Sequence, residues 1–168
     1  MADITTITPQ DLRPIVKTDA QKIAAAINAS APSPIAFKQS TDFTNIAGGP
    51  AFVTIASLAF QKQSPDTALE ISAFVSARNI ADAGAAGAQL RVLVAGMPSN
   101  LLYAGMSSPE AGMTMSAALP GILILGVPAG EGIPIALQFM GKDTEIVPDN
   151  TEGNSYSLRV QEVIVPID

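Results

Sequence analysis

The chain has no cysteine, no histidine and no tryptophan, and only two tyrosines among its 168 residues. Without cysteine, neither disulfides nor thiolate metal sites can hold the fold, and the redox compartment leaves no trace in the sequence. Without histidine, the commonest proton-transfer catalyst and the commonest transition-metal ligand are both missing. Charge is scarce as well. Charged residues make up 14% of the chain, against about a quarter in an ordinary soluble domain. From Val92 to Gly130 the only charged side chain is Glu110. Ser, Gly and Asn clothe such a surface only in part, so the simpler expectation is that much of it faces another copy of the chain.

The net charge of −6 and the nine scattered Lys and Arg residues argue against a nucleic-acid partner, which needs clustered cations. The opening MADITTITPQDLRP has neither a basic nor an apolar signal region, so no secretory signal is expected. Ala111 to Gly130 has the length of a membrane span, but Pro120, Gly121, Gly126 and Pro128 punctuate it. A membrane partner is therefore not expected.

What is present is a core: 48% of residues are apolar, enough for one domain with an accessory segment. Residues 1–34 read as an N-terminal arm and short helix that anchor the protein or associate its subunits. Thr8-Pro9-Gln10-Asp11 fits a helix start, while Pro14 favours a later one capped by Thr18 or Asp19. With either start, Val16, Ala20, Ile23 and Ile27 form an apolar stripe, and a helix so short must dock to persist. Ala31-Pro32-Ser33-Pro34 marks the boundary with a second region, residues 35–168.

That region reads as strands: Ile35–Lys38, Ala51–Phe60, Ala68–Ala77, Ala88–Ala95, Leu101–Ala104, Met113–Ala118 and Ser155–Val165, with a pair inside Ile122–Met140. The pair reads as a hairpin across Gly126–Gly132. Pro134 would put its second strand at an edge, or close to its own start. Gly96–Asn100 reads as a turn. The last strand is expected to be central, with a bulge near Gln161 to keep Glu162 off the apolar face. About eight strands without helical patterning between them predict an all-β fold, an antiparallel β-sandwich or jelly roll.

No constellation points to catalysis. Nucleophile-elbow and Ser-x-x-Lys motifs are absent, and the glycines of 126–130 open no helix that would cradle phosphate. Asp143, Glu145, Asp149 and Glu152 lack EF-hand spacing, so a solvated acidic loop is expected in place of a metal site. No cofactor is implied. Met97, Met106, Met113 and Met115 crowd the charge-poor region, where adaptable thioethers suit a subunit interface.

Gly126–Gly130, Ile133–Phe139 and Leu158–Val165 together resemble the C-terminal part of trimeric jelly-roll domains similar to tumour necrosis factor and complement C1q. Such domains occur as knobs, decoration proteins and head fibres on bacteriophage virions. The resemblance implies a homotrimer on a virus particle, assembled in the host cytoplasm and partnered by the major capsid or another virion protein. It implies a structural role without enzymatic activity. A receptor- or glycan-binding knob is the second reading, and a carboxylate-dependent enzyme the third.

Overall fold

The computed structural model describes residues 35–39, 45–146 and 156–164. The predicted helix with Val16, Ala20, Ile23 and Ile27 lies outside them, as do Asp149 and Glu152. The described residues form ten strands: β1 (Ile35–Gln39), β2 (Ile46–Ala47), β3 (Val53–Lys62), β4 (Ala68–Asn79), β5 (Ala86–Val94), β6 (Met97–Ser108), β7 (Thr114–Ile124), β8 (Gly130–Met140), β9 (Thr144–Ile146) and β10 (Tyr156–Val163). All pairings are antiparallel. One sheet runs β1-β10-β4-β7, with short β9 and β2 continuing past β10 along β4; the other runs β3-β8-β5-β6.

The pairs β1·β10, β3·β8, β4·β7 and β5·β6 are the rungs of one long ribbon folded back on itself. Wrapping that ribbon so that β10 also meets β4, and β8 also meets β5, yields the two-sheet order of a jelly roll. Alternation drives the wrap. Along β4 and β5, every second residue is buried, including Ile71, Val75, Leu90 and Val92. Phe60, Phe139, Leu137 and Leu158 join them in a single core between the sheets.

Several expectations change. Ile122–Met140 is not a hairpin. Its first strand belongs to β7 in one sheet and its second is β8 in the other, so residues 125–129 cross the sandwich, with Val127 buried on the way. Pro120-Gly121 does not end a strand either. Opposite Ser72 alone, these two residues make a bulge, with Gly121 at φ 68°, and the runs expected on either side fuse into β7. Met97–Asn100 is strand and not turn. The β5–β6 reversal takes only Ala95-Gly96, at φ 52° and 77°, the signature of a type I′ turn.

β8 is central, yet it tolerates Pro134. The carbonyl of Pro134 accepts Ala95 N–H at 2.8 Å, so its hydrogen-free nitrogen faces the side where β5 has already turned away. β10 lies between β1 and β4, central as expected, but it carries no bulge at Gln161. Its alternation continues unbroken and turns Glu162 inward.

Candidate functional site

The register sorts the sandwich into two unlike ends. One end carries the β3–β4 connection, the Ala95-Gly96 turn and the 125–129 crossing; β1 begins there and β10 finishes there. A single rung of the first sheet at this end reads Ile35–Gln161–Glu70–Leu123. Ile35 and Leu123 stand 57% and 48% exposed at its two edges. Just beyond lie Leu125 and Ile164, both well exposed.

In the second sheet, residues 99–102 of β6 face Val92 alone, and this large bulge sends Leu102 into the core while Leu101 faces solvent. Met97, beside the turn, is the most exposed large apolar side chain among the described residues, at 70%. Ile35, Met97, Leu101, Leu123, Leu125 and Ile164 therefore gather at one end of the sandwich. Asp66 and Glu131 are the exposed charges there. The opposite end carries the Arg78–Glu145 ion pair, Lys142 with Asp143 at 3.8 Å, and exposed Asp82 and Glu110. The other exposed large apolar residues, Phe37, Val53, Ile80, Tyr103 and Met113, are spread along the body and the charged end.

Of the four methionines singled out from the sequence, Met106 and Met115 lie inside the core. Met97 and Met113 are exposed, but Met97 opens β6 at the apolar end and Met113 precedes β7 at the charged end. The apolar end is thus built mainly from leucines and isoleucines that the strand pattern alone assigns to no partner.

The apolar end is stiffened by a buried carboxylate. Glu162, 4% exposed, accepts Gln63 N–H at 2.8 Å, Ser64 N–H at 2.9 Å and the Thr67 hydroxyl. The neighbouring Lys62, 2% exposed, donates from its ammonium to the Ser64 carbonyl. Burial by itself raises the Glu162 pKa. The bonds from Gln63, Thr67 and Ser64 and the charge of Lys62 outweigh it and hold the carboxyl below its ordinary value. The β3–β4 connection is thereby fastened to the last strand. At the charged end Asn79, fully buried, plays the matching part. It donates to the carbonyls of Gly84 at 3.0 Å and Glu110 at 2.9 Å and accepts Ala81 N–H at 2.9 Å.

Exposed apolar side chains at one end of a β-sandwich form a surface suited to contact with other chains. No protein-family model matches the sequence, and no curated protein resembles it. Among solved structures, the fold is similar to the infectious bursal disease virus VP2 subviral particle, with 10% identity and a TM-score of 0.45 over 81% of this chain and 34% of that one. It is also similar to the T13 viral particle of the same virus, with 11% identity and a TM-score of 0.41 over 81% of this chain and 36% of that one. The chain spans about a third of the length of these capsid proteins.

Proposed function

We propose that this protein is a non-enzymatic structural subunit of a virion, a homotrimer that decorates a bacteriophage capsid or builds a head fibre. Residues 1–34 serve as its attachment to the major capsid or another virion protein. The observation that carries this reading is the gathering of six exposed apolar side chains at one end of the sandwich, where β1 begins, with the ion pairs at the other. Copies that associate through this end withdraw those side chains from water. They are 48–70% exposed, so each contributes about 1–2 kcal/mol on association, a part of the 1.5–3 kcal/mol of full burial. The ribbon topology is compatible with the trimeric virion domains that Gly126–Gly130, Ile133–Phe139 and Leu158–Val165 resemble.

Co-sedimentation with assembled capsids tests the role. The full chain is expected to pellet with the particles, and a chain lacking residues 1–34 is expected to stay in solution. A truncated chain that still pellets removes the attachment assignment, and a full chain that never pellets removes the virion role.

A further inference from the structure

A second surface differs in kind. On the outer face of the β3-β8-β5-β6 sheet, one rung crosses all four strands as Thr54–Gln138–Arg91–Tyr103. Its side chains are tied together. Arg91 Nε donates to Gln138 Oε1 at 2.8 Å, and Gln138 Nε2 donates to Thr54 Oγ1 at 3.0 Å. The Phe52 ring covers the guanidinium at 3.9 Å and meets Tyr103 edge-on, with ring centroids 6.2 Å apart. The chain is poor in aromatic rings, yet one of them covers this cation and a second braces the first. Among the described residues no carboxylate pairs with Arg91. Its Nε and one face are engaged, so the forked Nη end is held in place for a bidentate anion.

The next rung, Met140–Gln89–Gly105, opens a cleft of about 420 Å³, lined also by Pro50, Gly87 and Lys142. Its floor is bare backbone, because Gly87 and Gly105 lie on adjoining strands. Neither glycine has positive φ, and the protein's own packing requires neither. A Cβ at Gly105 would meet nothing within 4 Å, and one at Gly87 only the Met106 carbonyl at 3.8 Å. Glycine inside a strand costs stability and marks a place where something approaches the backbone closely.

The geometry points to a binding site for a carboxylated sugar. Arg91 takes the carboxylate, Gln89 and the Tyr103 hydroxyl bond ring hydroxyls, and the sugar ring lies on the Gly87–Gly105 floor against Met140 and Pro50. Lys142 lines the cleft, Arg91 and Tyr103 stand on the adjoining rung of the same face, and among the described residues no acidic side chain lines the cleft. The volume is that of a small-ligand site. This site does not depend on the subunit contacts proposed above.

Amide chemical-shift mapping of the full chain with millimolar N-acetylneuraminic acid and with glucuronic acid tests it, with glucose and inorganic phosphate as comparisons. Shifts confined to Gln89, Arg91, Tyr103, Gly105 and their neighbours are expected with the acidic sugars, at least tenfold weaker with Arg91→Gln. Gly105→Val is expected to abolish them without lowering the melting temperature, since its side chain enters open space. Equal binding of glucose, equal binding of phosphate, or no shift with either acid overturns the proposal. So does Gly105→Val altering the sedimentation of the protein and leaving sugar binding intact, which would make this face a contact between copies.

Discussion

Replacing Glu162 by glutamine removes a buried charge with almost no change of shape. Glu162 Oε1 accepts from Ser64 N–H and the Thr67 hydroxyl, and Oε2 accepts from Gln63 N–H. Glutamine keeps one oxygen. With that oxygen toward Ser64 and Thr67, its amide confronts the Gln63 N–H donor to donor, and buried Lys62 loses its neighbouring negative charge. Hydrogen bonds to a charged group contribute about 1.5–3 kcal/mol each, so losing one and weakening the others costs about 2–4 kcal/mol. In a chain of this size that lowers the melting temperature by about 5–15 °C.

The pH dependence carries a sign. Because the folded carboxyl titrates below the ordinary 4.5, its contribution is complete above that pH and is lost as pH falls through the folded value. Urea denaturation of both proteins between pH 7 and pH 3 should therefore show two curves that converge on acidification. A variant within about 0.5 kcal/mol of the parent at pH 7, below the expected loss of a buried charged acceptor, would refute the clamp. So would a gap that widens as the solution is acidified.

Two further substitutions probe the charged end. Asn79→Ala leaves the Gly84 carbonyl and the Ala81 N–H without their side-chain partner and the Glu110 carbonyl with the Ser108 hydroxyl alone, and denaturant titration is expected to show a loss of about 2–4 kcal/mol. Unchanged stability would mean that water replaces the side chain at no cost. Gly141→Ala places a methyl group 2.6 Å from the Ala88 Cβ and 3.0 Å from its Cα. The backbone must shift, with an expected loss of about 1–3 kcal/mol and loosened amide exchange around Ala88.

Strands were legible in the sequence because burial on one face leaves a period of two, as in Leu69, Ile71, Ala73 and Val75 of β4. Partners were less so. The same glycines and prolines that close a hairpin also allow residues 125–129 to cross between sheets, and alternation does not distinguish the two. Pro120-Gly121 reads as a stop, yet a bulge absorbs it because Gly121 adopts positive φ. Glu162 broke the apolar alternation and invited a bulge that is absent. Its hydrogen-bond donors, Gln63, Ser64 and Thr67, lie 95 to 99 residues away in the sequence. The apolar end was partly visible as the window from Val92 to Gly130 with its single charge, which contributes Met97, Leu101, Leu123 and Leu125. Ile35 and Ile164 join it only through the pairing of β1 with β10. The Arg91 rung has no local signal, since its four members come from four strands.

Sedimentation equilibrium of the full chain at micromolar concentration, alongside a Leu101→Glu/Leu125→Glu double variant, bears most directly on association through the apolar end. The parent is expected to sediment at three times its 17.2 kDa chain mass. The variant, with two carboxylates where leucines meet, is expected to dissociate while keeping its β-sheet circular dichroism. A parent that sediments as a monomer, or a variant that remains as fully assembled as the parent, contradicts the account.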